Sequence, residues 1–564
     1  MRSRILSVIA AALAVAASLS GGVAPAGAAE GTYYVSPNGN DSNSGLSPSQ
    51  AWRTIGKVND FTFPQGSLVY FEGGQTFTGC LVFDSGNVPN SSASTPFRVY
   101  SYGTGQATIR SDCTGDYSAA VTADNVSGFR LNNLRLVNGG TTAAGVLLQN
   151  QESSTPTQSI VIQNSQITGF TTPAGSSSSL GGAIQIIGFA VNSNNGPMND
   201  IQILDNRLYG ASKTAPDGPA INGWGYGQNI TDVLVDGNTV YNLGMRPNTV
   251  GGAITANGWN GAVIQHNKVY DIGANVTSCG GTSGILAYTS SHVTIRYNEV
   301  YNVEPYPSYV SGCDWDGIDL DGGVDNSVVE YNYTHDNAGN GLLAYVDSPG
   351  GKPWGPNTFR YNVSENDDNI KAQGGLMGVV PRAPTGALSI YGNTFFTDVD
   401  QRSKSTASAC FFFGYSGGAW ASGSQIRNNI CHVANRDQYG RPGQFYYNPN
   451  GQTGMPISNN LYYTNGAPTW RWGGTTHSSF AAWQAAGLET APVWGDPLFA
   501  SAGNGGTCTW NPATGVGPQP CPSAYRLQPG SPALGKGANI AGNGGLDYFQ
   551  DPIPNPPNIG ADAG

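Results

Sequence analysis

The chain has 564 residues, a formal charge of −11, only 11% charged residues and 80 glycines. A surface this poor in cations repels polyanions, so nucleic acid is excluded as a partner and a densely charged polyuronate fits poorly without a metal. Abundant Gly, Asn, Ser and Thr suit a turn-rich β structure, and helical periodicity is nearly absent.

Residues 1–29 carry Arg2 and Arg4, an apolar run from Ile5 to Leu19 and the small-residue end Ala26-Gly27-Ala28-Ala29. This pattern predicts a secretory leader, and no later segment is apolar enough for a membrane helix. The expected mature protein is soluble, extracellular and monomeric. Its eight cysteines are expected as disulfides between neighbours in sequence: Cys80–Cys113, Cys279–Cys313, Cys410–Cys431 and Cys508–Cys521.

Residues 30–120 read as an N-terminal cap with the first coils, opening on Tyr33-Tyr34-Val35-Ser36-Pro37-Asn38-Gly39 and continuing to Trp52-Arg53-Thr54-Ile55. From 121 to 475 an asparagine recurs beside β-branched or aromatic residues, mostly every 29–34 residues: Asn133, Asn164, Asn206, Asn238, Asn267, Asn298, Asn332, Asn362, Asn393, Asn429 and Asn460. That period fits a coil of three short strands, each coil stacking on the last so that the asparagines form a structural hydrogen-bonded column. Residues 476–564 read as a C-terminal capping region, with one short helix over Ser478–Gly487 that has serine at its N-cap, glycine past its end and a buried tryptophan.

The opening segment, together with Leu527-Gln528-Pro529-Gly530-Ser531-Pro532-Ala533 and Asn558-Ile559-Gly560-Ala561-Asp562, resembles secreted bacterial proteins of the pectate-lyase-like superfamily. The resemblance implies an all-β, right-handed parallel β-helix solenoid of about a dozen coils with capped ends. It also implies action on polysaccharides, by hydrolysis or by elimination.

Placing the strands in register puts Gln185, Asn222, Thr255, Leu286, Asp319, Leu343 and Lys371 in one outward column. Two residues further come Trp224, Asn257, Tyr288, Asp321, Tyr345 and Gln373, polar and aromatic groups suited to binding sugars along a groove. The densest acidic stretch, Asp314-Trp315-Asp316-Gly317-Ile318-Asp319-Leu320-Asp321, lies on this face, and Asp368 falls two coils on in the register of Asp316. The two-coil step is about 9.6 Å and Asp319 to Asp321 about 6.8 Å, near the separation of about 6.5–9.5 Å that an inverting glycosidase needs between acid and base.

The sequence therefore predicts a glycoside hydrolase with Asp316, Asp319, Asp368 and Lys371 at the reacting bond and no required cofactor. The segment Asp316-Gly317-Ile318-Asp319 and the pair Asp367-Asp368 resemble polygalacturonase elements, although the Gly-His-Gly and Arg-Ile-Lys elements of that family are absent. The alternative is a polysaccharide lyase in which calcium sits on Asp316, Asp319 and Asp321 and Lys371 is the base, as the resemblance to lysine-dependent lyases implies. A non-catalytic glycan-binding protein is a third reading. His335-Asp336 is a further candidate for orienting a catalytic acid.

Overall fold

In the computed structural model, the described residues are 31–564 without 90, 116, 152–154, 172–180, 189–195, 226, 248–250, 278–281, 306–313, 370–374, 383–385, 399–408, 415–419, 434–443 and 509–520. The leader, Cys279, Cys313, Lys371 and Gln373 lie outside them.

The chain winds into a parallel β-helix whose wall, among the described residues, is three sheets of 15, 14 and 14 strands. In most coils one strand goes to the first sheet, one to the second and one to the third, so consecutive members of a sheet are mostly three strands apart in sequence. Side chains alternate along each strand, and the inward Ile, Val, Leu and Phe merge into one core running from Tyr33 to Trp483. Parallel strands cannot close on themselves, so both ends need a cover. At the start, Thr54 caps the helix Ile55–Asn59, which buries Ile55 and Val58, while Trp52 stacks on Tyr33 at 5.0 Å. At the far end, Ser479 caps Phe480–Ala485 and Trp483 stacks on Trp470 at 5.8 Å, fully buried, as the sequence predicts.

The asparagine column lies at the turn between the first and second sheets. Each side-chain oxygen accepts the backbone N–H and the amide of the residue one coil before, as when Asn298 Oδ1 receives Asn267 N and Nδ2, both at 3.0 Å. The column runs unbroken from Asn206 to Asn460. It ends on Glu489, whose Oε1 accepts Asn460 N and Nδ2 at 3.1 and 2.9 Å. Asn133 and Asn164 do not belong to it. They occupy the preceding left-handed position, φ 58 and 51, and Ser165 holds the ladder position in that coil, with its N–H on Asn206 Oδ1. Asparagine is favoured at both positions, for its amide at one and for its tolerance of positive φ at the other, so sequence spacing cannot separate them.

Three of the expected disulfides are present, Cys80–Cys113, Cys410–Cys431 and Cys508–Cys521; the Cys279–Cys313 pairing falls outside the described residues. Only the first part of the C-terminal region caps the stack. The remainder runs back along the outside, where Asn428 and Arg360 bond carbonyls of Ala538 and Gly542, and Cys508 N donates to Glu299. Gly560 is required here, because a Cβ would stand 2.5 Å from Ile430 and its φ is +100. No helix among the described residues is long and apolar enough to cross a membrane.

Candidate functional site

The strand Ile318–Leu320 in the third sheet carries the acids. Its register is Leu286↔Asp319↔Leu343, and the earlier coils read Gln185↔Asn222↔Thr255↔Leu286. The sequence alignment holds for these six residues and fails at the next coil. The strand there is Gly375–Pro381, and Gly378, not Lys371, stands opposite Leu343. Val380 likewise takes the place expected for Gln373, opposite Tyr345. The strand that pairs with Leu342–Val346 begins only at Gly375, further from Asp368 than Asp319 stands from Asp316, so counting on from Asp368 falls short of it.

The outward column is not an open groove, because Gln185, Asn222, Thr255, Leu286, Asp319 and Leu343 are all buried. Asn222 Nδ2 donates to Gln185 Oε1 across the coils at 3.1 Å, and Gln185 Nε2 to Gly181 O at 3.1 Å. Asn257 is buried too, accepting the Thr289 hydroxyl at 2.8 Å. Trp224, Tyr288, Asp321 and Tyr345 are half-buried and keep part of their surface in water.

Asp316 precedes the strand and is wholly buried. Asn340, one coil on, donates its N–H and its side-chain amide to Asp316 Oδ1 at 2.7 and 2.8 Å, leaving Oδ2 without a hydrogen bond. Burial pushes the Asp316 carboxyl up to about 7; the Asn340 bonds oppose the rise, and the charges of Asp368 and Asp367 add to it. Asp319 is 4% exposed and its Oδ1 also lacks a hydrogen bond. Burial holds it well above the usual carboxylate range, reinforced by Asp321, Asp316 and Asp314. Asp321 reaches about 6 by burial, opposed by the Gly322 N–H that its Oδ1 accepts at 2.6 Å and raised further by Asp347. No ion pair involves Asp316, Asp319 or Asp321 among the described residues.

Asp368 reaches this cluster from two coils on. Its N–H donates to Gly339 O at 2.6 Å, and Gly339 N donates in turn to Trp315 O at 3.0 Å. Asp367 beside it is structural. Its oxygens accept Asn337 N and Nδ2, the Thr334 hydroxyl and the Ser364 hydroxyl, all within 3.0 Å. Gly341 is obligatory against this knot, since a Cβ would lie 2.2 Å from Asp367 Oδ2.

Two participants escaped sequence reading. Asn340 looks like part of an acid-free coil until the stacking places it over Asp316. Arg382, exposed, lies with its guanidinium 5.5 Å from the Tyr345 ring, where only the corrected strand register could place it. His335 does not orient the acids. It lies on the second sheet, bonded to Asp336 at 2.8 Å and Glu299 at 3.3 Å, and these partners raise it to about 9 against the lowering effect of burial.

The raised carboxyls fix a pH dependence of stability. A folded-state pKa above the unfolded value of about 4 means that the folded chain binds more protons, so stability is fully present at low pH and is lost as pH rises through about 6–7. Melting temperature is therefore expected to fall between pH about 5 and about 7.5, and Asp316→Asn to flatten that slope; an unchanged slope in the variant would contradict the burial of a titrating carboxyl there.

Fold and site together describe a parallel β-helix protein with a buried cluster of aspartates on one sheet, the winding implied by the resemblance to pectate-lyase-like proteins. No family model matches the chain. No curated protein sequence matches it either. Among solved structures, the GH136 lacto-N-biosidase from Eubacterium ramulus is similar over 68% of this chain and 67% of that one, with 17% identity and a TM-score of 0.49. XylC in complex with xylose covers 94% of this chain and 98% of its own, at 10% identity and 0.43, and pectate lyase Pel9A covers 94% and 95%, at 11% and 0.36. At such identities the likeness does not extend to the reaction.

Proposed function

We propose that the chain is a secreted enzyme that hydrolyses glycosidic bonds of a neutral or weakly acidic polysaccharide. The observation that supports this reading most strongly is the pair Asp316, just before the strand Ile318–Leu320, and Asp319 within it, each with an oxygen that makes no hydrogen bond and each raised above the usual carboxylate range. Asp319, held above the usual carboxylate range by burial and by Asp321, Asp316 and Asp314, is the general acid for the leaving oxygen. Asp316, clamped through Oδ1 by Asn340, ionises near neutrality and turns Oδ2 to an attacking water as general base. Asp368 sets the charge against which Asp316 titrates. Trp224, Tyr288 and Tyr345 offer ring surface to sugars, with Asn257, Asp321 and Arg382 as polar partners. Substrate must displace what covers the acids, which is consistent with desolvated carboxyls at the reacting bond.

The rate is expected to rise as pH climbs through about 7 and to fall again at higher pH when Asp319 ionises. The decisive assay incubates the protein with a polysaccharide panel and follows both new reducing ends and ultraviolet absorbance of unsaturated sugars. Absorbance rising in step with every bond cut would identify elimination.

The crowding of Asp314, Asp316, Asp319 and Asp321 favours one second reading, a calcium-dependent lyase. Asp316, Asp319 and Asp321 offer the hard oxygen ligands that calcium prefers, and Lys371 would supply the base. Hydrolysis by two carboxyls has no need of the ion, so activity is expected to survive EDTA. Loss of activity that calcium restores, at an unchanged melting temperature, would move the assignment to the lyase.

A further inference from the structure

The second sheet carries a stack of outward tyrosines, one per coil: Tyr209, Tyr241, Tyr270 and Tyr301. Their rings lie face to face at 5.2, 5.3 and 5.0 Å, nearly parallel. Arg207 stands over the rings of Tyr209 and Tyr241, and Lys268 over those of Tyr270 and Tyr301. Stacking needs only the rings, and phenylalanine would serve it with less desolvation. The hydroxyls of Tyr209, Tyr270 and Tyr301 nevertheless bond to no protein group among the described residues, and none is a buried unsatisfied atom, so they face water.

The same molecule shows what such a stack can hold. A second column, Tyr297 on Tyr331 at 5.1 Å, lies four residues back along the same coils. There the returning C-terminal segment is seated on the hydroxyls: Tyr297 donates to Gln550 Oε1 at 3.0 Å and Tyr331 to Leu546 O at 3.1 Å. Among the described residues this segment's contacts reach Lys268 and Glu299 and go no further toward Tyr209. One comb of tyrosine hydroxyls is thus occupied by a turn of the chain itself, and among the described residues none bonds to the Tyr209, Tyr270 or Tyr301 hydroxyls of the other.

We infer that the Tyr209–Tyr301 stack is a second, non-catalytic binding face for an extended neutral polysaccharide strand. A rigid comb of three free hydroxyls, spaced by one or two strand separations of roughly 4.8 Å each, suits a polymer that presents a hydroxyl or ring oxygen at each pyranose. The electropositive ring edges, with Arg207 and Lys268 beside them, favour oxygen acceptors. Lys268 pairs with Glu299 at 3.0 Å and Lys213 with Glu304 at 2.9 Å at the edge of the stack, and Asp271, near enough to add to the rise that burial gives the Tyr270 and Tyr301 hydroxyls, offsets Arg207. The face is therefore near neutral, which selects an uncharged strand over a polyuronate. The inference shares the polysaccharide substrate of the proposed function but not its acids.

Affinity gel electrophoresis of the mature protein in hydroxyethylcellulose, arabinoxylan and polygalacturonate separates the possibilities. Retardation is expected in at least one neutral polymer, and the triple variant Tyr209→Phe, Tyr270→Phe, Tyr301→Phe, which keeps every ring, should weaken it roughly tenfold or more for three lost hydrogen bonds. Cleavage of a short soluble substrate should be unchanged in that variant. Equal retardation of variant and wild type, retardation by polygalacturonate alone, or no retardation at all would overturn the inference. Retardation without cleavage of any polymer would instead sink the hydrolase reading and leave this face standing.

Discussion

Asp319→Asn is expected to abolish most turnover while the protein stays folded. Asparagine fills the same volume but cannot donate a carboxylic proton to a leaving oxygen, and removal of a general acid costs about 10²–10⁴-fold in rate. The effect on stability has the opposite sign. Asp319 is buried among Asp321, Asp316 and Asp314 with an oxygen that lacks a hydrogen bond and a carboxyl held above its unfolded value, so folding at neutral pH draws a proton onto it, and a permanently neutral amide removes that cost; the melting temperature at neutral pH should hold or rise. Asp316→Asn should cost a similar factor in rate, with one further signature: the rise in rate through pH about 7 disappears with the base that produces it. Lys371→Ala discriminates the two chemistries. Under hydrolysis it weakens binding more than it lowers turnover, whereas under elimination it alone stops the reaction. A Lys371→Ala variant without turnover, together with an Asp319→Asn variant rescued by added calcium, would transfer the acids from proton transfer to metal binding.

The winding of the chain was legible because it is written redundantly. The ladder from Asn206 to Asn460 repeats one hydrogen-bonding requirement in every coil, and apolar alternation on three strands per coil repeats another, so a misplaced residue is outvoted by its neighbours. The acids were legible for a related reason, since a cluster of aspartates is conspicuous where only 11% of residues are charged. Register beyond Asp319 was not. The positions of Lys371 and Gln373 follow from counting on from Asp368 in the register of Asp316, and a parallel β-helix tolerates extra residues between strands without disturbing the stack, because loop-closure entropy grows slowly with length. Exposure was also hidden. Alternation tells which residues point away from the core, and Gln185, Asn222 and Leu286 do, yet what lies over them is decided by segments with no periodicity of their own.

Glu489→Leu is expected to cost about 4 kcal/mol or more of stability, the largest structural effect of any single substitution at the end of the stack. Every asparagine of the ladder hands its N–H and amide donors to the next coil, so the last one must find an acceptor that is not an asparagine. Glu489 provides it, with Oε1 receiving Asn460 N and Nδ2 and Oε2 receiving the Tyr462 hydroxyl at 2.7 Å and Trp483 Nε1 at 2.8 Å. One carboxylate thus ties the ladder, the last coil and the capping helix together. Leucine would bury four donors with no acceptor at roughly 1–3 kcal/mol each, partly offset because burial raises the carboxyl and makes its charge costly to keep. Glu489→Gln keeps two acceptor lone pairs at one end and should recover part of the loss. Urea unfolding followed by tryptophan fluorescence reads the effect directly, since Trp470, Trp483 and Trp494 pack at this end. A Glu489→Leu protein that unfolds at the wild-type urea midpoint would mean that the ladder needs no terminator and that the cap is held by apolar packing alone.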